Sequence, residues 1–262
     1  MKISFDVISD LHVDEWEDFN WSNQATSPFC IIAGDTARDR DLLAATLEHI
    51  SNQYQQVFVV DGNEEHRWTY NNLNQSYEEL KSLISSIPNV AFLHNNIVML
   101  EGIAIVGTCG WYTFNNDPRY SIEQCKKGVE NHYGFDRAIS DEIEMRAVED
   151  ARYLNRTISK LQLYPDIENI VVVTHFLPYA KFAAHDTALL NSYVLNASTN
   201  VYLPTCFQED TERKISHWVY GHYHGQTASE TIGHTKFITN PHGRRNSSWH
   251  QNPYFPQRIT FD

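Results

Sequence analysis

Apolar residues along the chain fall into five short runs, and each run ends where polar residues with metal-binding side chains begin. The runs are rich in β-branched and aromatic residues and close on Gly, Asp or His, which is the pattern of buried strands. They cover residues 3–9, 29–33, 57–60, 170–174 and 217–220. We therefore expect an α/β fold in which these segments are strands.

The polar residues after the runs carry carboxylate, imidazole or amide groups. In chain order they are Asp10, His12, Asp35, Asn63, His175, His222 and His224. In layered α/β folds the carboxyl ends of neighbouring strands converge on one crevice. We therefore expect these side chains to meet in one site. A domain boundary between them would divide that site, so residues 1–262 are predicted to form a single domain.

Periodic apolar positions between the runs predict the remaining elements. Residues 111–134 lack such a period and are predicted to form a functional or mobile loop. No element is assigned to residues 249–262. Helices are predicted over 36–54, 71–87 and 136–163, and further short strands over 90–93, 97–100, 103–107, 226–230 and 235–239.

Composition narrows the possible partners. A formal charge of −13 and a pI near 5.4 argue against a broad nucleic-acid surface or binding to an anionic membrane, since both need clustered Lys and Arg. A small phosphorylated substrate remains compatible, because bound divalent cations make a pocket locally positive. The N-terminal residues hold no apolar stretch long enough for a signal peptide or membrane span, so a cytoplasmic location is expected. The sequence leaves the oligomeric state open.

The cysteines and the donor types indicate the metal chemistry. Cys30, Cys109, Cys125 and Cys206 form no CxxC pair, which favours reduced structural thiols. Mixed nitrogen and oxygen donors without thiolate suit manganese, iron, zinc, nickel or cobalt better than calcium or magnesium. Asp35 follows a glycine that allows a sharp turn, and its two carboxylate oxygens can bridge two cations.

These motifs resemble the ordered signature of the calcineurin-like metallophosphoesterases, which reads DxH, GD, GN(H), a lone His and GHxH. A single block is a weak signal, whereas all blocks in the right order are a specific one. Residues 107–111 and 239–243 also resemble small, capless prokaryotic and viral members of that superfamily. The matching blocks are Asp10-Leu11-His12, Gly34-Asp35, Gly62-Asn63, Thr174-His175 and Gly221-His222-Tyr223-His224.

The resemblance implies a four-layer α/β/β/α sandwich of two mixed sheets, with a dinuclear site for divalent manganese, iron or zinc at the carboxyl ends of the strands. It also implies a metal-dependent phosphoesterase, which hydrolyses a phosphodiester or phosphomonoester of a small molecule or nucleotide by attack of a metal-bridging hydroxide. By the same resemblance the first ion takes Asp10, His12, Asp35 and His224, and the second takes Asp35, Asn63, His175 and His222.

One position departs from the pattern. Glu64 stands where the family usually has a His, which by the resemblance protonates the leaving oxygen. A carboxylic acid beside two dications is expected to be ionised, and it then cannot donate a proton. Loss of a general acid costs about 10²- to 10⁴-fold in rate.

Three interpretations of Glu64 stay open. Glu64 is an added metal ligand or supports one, and His66 supplies the proton. Alternatively, the change inactivates the enzyme, or the leaving group is acidic enough to depart unaided. The catalytic candidates are therefore Asp35, Asn63, Glu64 and His66. The competing function is a catalytically weakened protein-interaction scaffold of the same fold that still binds metal.

Other enzyme classes lack support, because the chain has no G-x-S-x-G, P-loop or Rossmann glycine pattern. Glu65 is expected to orient a neighbouring metal ligand. Additional candidates for substrate contact are Arg244 and Arg245 as phosphate clamps, His132 and His242 in loops near the site, and Trp111 and Tyr112 as stacking partners or core residues.

Overall fold

The computed structural model describes residues 2–69, 72–115, 119–133, 137–183, 197–224, 227–246 and 250–261. Its α-helices are α1 (Arg40–Ser51), α2 (Leu73–Ser85), α3 (Ile122–Tyr133) and α4 (Arg137–Leu161). Its strands are β1 (Ile3–Ile8), β2 (Phe29–Ala33), β3 (Gln56–Val60), β4 (Val90–Phe92), β5 (Asn96–Leu100), β6 (Ile103–Gly107), β7 (Asn169–Val173), β8 (Ile215–Tyr220), β9 (Ala228–Ile232), β10 (Thr235–Thr239) and β11 (Gln257–Phe261).

The strands form two mixed sheets, with the orders β11-β1-β2-β3-β4 and β5-β6-β7-β8-β10-β9. Strands β1 to β4 run parallel to one another, and so do β6, β7, β8 and β10. Strands β11, β5 and β9 pair antiparallel at the edges. The strands that precede the candidate donors thus run parallel within their sheets and deliver those donors at one end.

Alternating side chains of each strand separate two cores. In β3, Phe58 and Val60 lie between the sheets and share a cluster with Val171 of β7, whereas Val57 and Val59 belong to the cluster beneath the helices. This division follows from the two-residue period of a strand. Each such fully buried aliphatic side chain stabilises the fold by about 1.5–3 kcal/mol.

The helices complete the outer layers. Leu47 of α1 and Leu80 of α2 pack on the first sheet, and Leu154 and Ile158 of α4 pack on the second. The layer order of helix, sheet, sheet and helix confirms the predicted four-layer α/β/β/α sandwich of two mixed sheets.

Helix α1 begins later than the predicted residue 36. Asp39 is its N-cap, and the Asp39 carboxylate accepts the backbone N–H of Leu42 at 2.8 Å. Asp is among the strongest N-cap residues, so Asp39 and not Thr36 fixes the start. Thr36 is instead fully buried.

The segment 111–134 was predicted to lack regular structure, and that prediction is wrong for its second half. Helix α3 forms there because Cys125 and Val129 pack in one cluster with Ile139 and Ile143 of α4. The C-terminal residues also gain an element, since β11 pairs antiparallel with β1 and buries Ile259 between the sheets.

All four cysteines are free and buried, as the reduced-thiol prediction requires. Among the described helices, none is long and apolar enough to cross a membrane. The cytoplasmic location stays a prediction.

Candidate metal centre

Hydrogen bonds join the two sheets at the carboxyl ends of the strands that precede the candidate donors. Asp10 Oδ1 accepts the backbone N–H of His222 at 2.9 Å, which links the end of β1 to the end of β8. His175 Nδ1 lies 2.9 Å from the carbonyl oxygen of Ala33, which links β7 to β2. The site therefore forms where both sheets end.

The first group of donors consists of Asp10, His12, Asp35 and His224, whose ligand atoms all lie within 4.8 Å of one another. His12 Nε2 is 2.8 Å from His224 Nε2, and His224 Nε2 is 3.2 Å from Asp10 Oδ1. Three of the four residues are buried, and His224 is half-buried.

The second group consists of Asp35, His175 and His222. His222 Nδ1 lies 3.2 Å from His175 Nε2. Asp35 belongs to both groups and turns one oxygen to each, because Oδ1 is 3.4 Å from His175 Nε2 and Oδ2 is 3.9 Å from His12 Nε2. One carboxylate therefore lies between the two groups, with one oxygen toward each.

Asn63 follows β3 beside the second group. Its side-chain Nδ2 donates to Glu64 Oε1 at 3.0 Å, and the backbone N–H of Glu64 donates to Asp35 Oδ1 at 2.9 Å. The chain on the C-terminal side of Asn63 thus contacts the shared carboxylate. The role of Asn63 as a ligand of the second ion stays a prediction.

The backbone takes a left-handed conformation at four of the donors. The φ angles are 50° at Asp10, 43° at His12, 55° at Asp35 and 68° at His222. Residues other than glycine rarely adopt this conformation, and each such position costs about 1–3 kcal/mol unless the surroundings enforce it. Four of the eight described non-glycine residues with a positive φ are therefore candidate metal donors.

Two motif glycines are needed because the chain passes close to the donors. A Cβ atom on Gly34, where φ is 81°, would lie 2.5 Å from His175 Nδ1. A Cβ atom on Gly221 would lie 2.5 Å from the carbonyl oxygen of Ala33 and 2.8 Å from Asp10 Oδ2. All three distances are shorter than any normal contact, so only glycine fits at these two positions.

The electrostatics of the cluster fit bound cations. Burial alone would raise the pKa of Asp35, but His175 and His12 hold it well below its usual value. Burial would lower the pKa of His175, but the carboxylates of Asp35 and Asp10 raise it to about 10. Burial and His175 together lower the pKa of His222 to about 3. The buried His175 imidazolium thus balances the charge of the ionised carboxylates. Divalent cations bound to this set of nitrogen and oxygen donors would provide that positive charge instead.

Glu65 holds three backbone groups around the shared carboxylate. Its Oε2 accepts the N–H groups of Asp35 at 3.1 Å and Gly62 at 2.8 Å, and its Oε1 accepts that of Thr36 at 2.5 Å. Burial, followed by the charge of Asp35, raises the pKa of Glu65 to about 8. Glu65 therefore fixes the two loops that carry Asp35 and Asn63.

The carboxylate of Glu64 is bound by arginine side chains. Its carboxylate is 1% exposed and binds Arg38 through Oε2, and Arg67 at 3.3 Å and Arg244 at 2.7 Å through Oε1. Both carboxylate oxygens of Glu64 are thus engaged with guanidinium donors, so neither is directed at a leaving group. Its contacts with guanidinium groups do not favour Glu64 as an added metal ligand, whereas the hydrogen bond from Asn63 Nδ2 fits the alternative that Glu64 supports one.

His66 lies in a separate buried network. Its Nδ1 is 2.7 Å from Ser76 Oγ, and its Nε2 is 2.9 Å from Asp61 Oδ2. Both ring nitrogens are therefore engaged in the protein core, and the side chain is fully buried. The prediction that His66 supplies a proton gains no support from these contacts.

The other histidine and aromatic contact candidates whose side chains the structure describes are buried. Trp111 and Tyr112 are buried in the cluster of α3 and α4, so packing accounts for both. His242 stacks on Trp16 at 4.2 Å between ring centroids and lies 3.1 Å from the carbonyl oxygen of Leu11 through Nδ1. The side chain of His132 lies outside the described residues.

Sequence reasoning missed two residues beside the site, Arg38 and Glu15. Arg244 binds Glu15 and Glu64, whereas Arg245 binds the exposed Glu17. The available signal for Arg38 was its position three residues after Asp35, in the loop that the donor motif already marked.

Comparisons with known proteins address the fold. No family model matches the chain. The chain is 23% identical over 217 residues to an uncharacterized protein of Acanthamoeba polyphaga mimivirus, which covers 79% of this chain and 75% of that protein.

Two solved structures are similar over nearly the whole chain. A phosphopantetheinyl hydrolase from Mycobacterium tuberculosis has a TM-score of 0.71 and 17% identity, covering 98% of this chain and 96% of that chain. A dimetal phosphatase from Danio rerio has a TM-score of 0.52 and 12% identity, covering 98% of this chain and 91% of that chain. Both structures have the calcineurin-like metallophosphoesterase fold, and the chain has the same fold.

Proposed function

We propose that the protein is a metal-dependent phosphoesterase that hydrolyses a phosphodiester or phosphomonoester of a small molecule or nucleotide. The observation that carries the proposal is the sharing of Asp35, which turns Oδ2 to His12 and Oδ1 to His175. A carboxylate shared in this way suits two cations about 3.5–4 Å apart, the spacing used in two-metal phosphoryl transfer.

When bound, the cations would supply an activated water and neutralise charge on the phosphoryl oxygens. We propose manganese, iron or zinc, held by Asp10, His12, Asp35 and His224 on one side and by Asp35, Asn63, His175 and His222 on the other. The chain's own contribution is geometric, because Asp35 sets the spacing and Glu65 fixes the loops around it.

Protonation of the leaving group restricts the substrate. Glu64 is held by arginines and His66 is engaged in the core. We infer that the preferred substrates have leaving groups acidic enough to depart without a protein proton donor. The phosphopantetheinyl hydrolase among the similar structures makes a phosphopantetheine diester a useful member of any substrate panel.

The test is a panel of phosphomonoesters and phosphodiesters with leaving groups of graded acidity, assayed with Mn²⁺, Fe²⁺ and Zn²⁺. We expect turnover of aryl phosphodiesters with at least one ion and loss of turnover after chelation. Metal content is measured on the same samples by mass spectrometry. Bound metal without turnover of any ester would favour the scaffold function. If the protein binds no metal and turns over no ester, the metal-centre interpretation is wrong.

A further inference from the structure

Four charged side chains from four separate segments form a closed ring beside the metal centre. Glu64 accepts hydrogen bonds from Arg38 Nε and from Arg244 Nη2, the latter at 2.7 Å. Glu15 Oε1 accepts from Arg38 Nη2 at 3.3 Å and from Arg244 Nη1. Each arginine therefore binds both carboxylates.

The two carboxylates of the ring differ in exposure. Glu64 is 1% exposed, accepts a hydrogen bond from Asn63 and forms an ion pair with Arg67, so it is fixed in place. The Glu15 side chain is 21% exposed and lies on the outer side of the ring. An entering anion can therefore replace Glu15 and leave Glu64 where it is.

A cavity of about 860 Å³ adjoins the outer side of the ring. Its lining carries more cationic than anionic side chains, although the whole chain has a charge of −13. The ring is also one hydrogen bond from the metal centre, since the backbone N–H of Glu64 donates to Asp35. The residues that line the cavity are Glu15, Glu17, Arg38, Arg244, Arg245 and Asn246.

We propose that Arg38 and Arg244, oriented by Glu64, bind a second phosphoryl group of the substrate, separate from the scissile one, and that this group displaces Glu15. The inference rests on the proposed phosphoesterase function and names its substrate class. That class comprises small molecules with another phosphoryl group near the ester to be cleaved, such as diphosphate and bisphosphate compounds.

Glu15 shows where the anionic oxygen would sit. One of its oxygens accepts hydrogen bonds from both guanidinium groups, so two cationic side chains already point at the position of that oxygen. A phosphoryl dianion offers three oxygens and twice the charge of a carboxylate, which matches the guanidinium fork better. Glu64 is then a positioning residue, and its carboxylate orients two guanidinium groups at once.

The test compares two substrates that differ by one phosphoryl group. They are thymidine 5′-(4-nitrophenyl phosphate) with and without a 3′-phosphate, assayed with the metal-loaded protein. We expect the 3′-phosphate to lower KM by about tenfold, as a charge-assisted contact of ~1.4 kcal/mol would. We define the preference as the KM of the substrate without the 3′-phosphate divided by the KM of the substrate with it. This ratio should fall toward one in Arg38→Ala and Arg244→Ala, and it should increase in Glu15→Gln because the competing carboxylate is gone.

A matched control is Arg213→Ala, since Arg213 is exposed and contacts His234 on another part of the molecule. Its preference should equal that of the wild type. A preference that survives in Arg244→Ala, or that does not widen in Glu15→Gln, would overturn the proposal and leave the ring a structural cross-link. Lys substitutions of the two arginines replace the Ala variants if these do not fold.

Calorimetry separates this proposal from the proposed function. Thymidine 3′,5′-bisphosphate and thymidine 5′-monophosphate are titrated into the metal-free protein and its Glu15→Gln variant. Tighter binding of the bisphosphate, strengthened in Glu15→Gln, supports the anion site even if neither ester is turned over. Turnover of both esters with equal affinity for the two nucleotides would overturn the anion site and retain the phosphoesterase.

Discussion

The carboxylate of Asp35 accepts the backbone N–H of Glu64 at 2.9 Å. The residue shared by the two donor groups is therefore one hydrogen bond from the residue that orients the arginines. Because the contact uses the backbone of Glu64, its side chain remains available to Arg38 and Arg244. The proposed metal site and the proposed anion site can therefore be disturbed by separate substitutions.

Asp35→Asn is expected to remove at least one of the two ions. The amide keeps one oxygen and turns an NH₂ group toward an imidazole nitrogen, so one group loses its bridging donor. Loss of several kcal/mol of charge stabilisation corresponds to a fall in kcat/KM of about 10³-fold. Metal content and kcat/KM are measured together. Asp41→Asn, on the exposed side of α1, is the control, and full metal occupancy in Asp35→Asn would refute the shared-carboxylate interpretation.

Glu65→Gln is expected to weaken both folding and metal binding. The glutamine NH₂ must face one or two of the backbone N–H groups that Glu65 now accepts. Leaving buried donors unsatisfied costs about 1–3 kcal/mol each, and loss of such support lowers metal affinity by about 10- to 100-fold. Urea unfolding and a metal titration measure the two effects. The exposed Glu78→Gln is the control, and equal behaviour of the two variants would count against the role of Glu65.

Gly221→Ala is expected to disrupt the metal centre, because its Cβ would lie 2.5 Å from the carbonyl oxygen of Ala33 and 2.8 Å from Asp10 Oδ2. The matched control is Gly233→Ala, where φ is 65° and nothing lies within 4 Å of the new Cβ. The control carries only backbone strain of about 1–2 kcal/mol and should keep its metal. Retention of two ions in Gly221→Ala would show that the loops can move apart.

His66→Gln tests the last candidate for a proton donor. If His66 donated to the leaving group, the variant would lose about 10²- to 10⁴-fold on alkyl esters and little on aryl esters. We expect the same small change on both, together with a loss of about 1–3 kcal/mol in the free energy of unfolding from the broken buried hydrogen bonds. A leaving-group series assayed alongside chemical unfolding distinguishes the two outcomes.

Asp150 is expected to give the fold a measurable pH dependence. Its Oδ2 accepts the N–H groups of Gly110 at 2.9 Å and Trp111 at 3.1 Å, and burial raises its pKa from 3.8 to about 6. The folded state thus binds this proton more tightly than the unfolded state. The stabilisation from that proton is complete below the unfolded pKa and is lost as the pH rises through the folded pKa.

Asp150→Asn keeps an acceptor and has no charge to bury. Relative to the wild type, its free energy of unfolding should rise by up to about 3 kcal/mol between pH 4 and pH 7. Urea unfolding of both proteins across that range measures the difference. A difference that does not change with pH would mean that Asp150 keeps its ordinary pKa.

The strands and donors were predictable because both depend on local pattern. A buried strand must alternate or remain apolar over a few residues, and the donors follow each strand directly, so position in the sequence fixes position in the fold. Helix α3 was missed because its packing residues, Cys125 and Val129, are separated by charged residues in the sequence. Their apolar side chains form a cluster only with those of α4. The resemblance supplied the layer order, which periodicity alone does not determine.

The contacts of Glu64 were not predictable for a different reason. Its partners Arg38 and Arg244 lie 26 and 180 positions away in the sequence. Nothing in the pattern around Glu64 indicates which distant side chains fill the space beside it. A substitution relative to a family motif shows that the chemistry has changed, but its new partners become visible only in three dimensions.

The pairing of β11 with β1 has a consequence for biosynthesis. The segment with Asp10 and His12 leaves the ribosome before His222, His224 and the strand that covers the edge of β1. Translation proceeds at about 5–20 residues per second, so the nascent chain waits more than ten seconds with its first donors unpartnered. The proposed first metal site would thus be completed only after His224 has emerged, and the edge of β1 stays unpaired until β11 has followed.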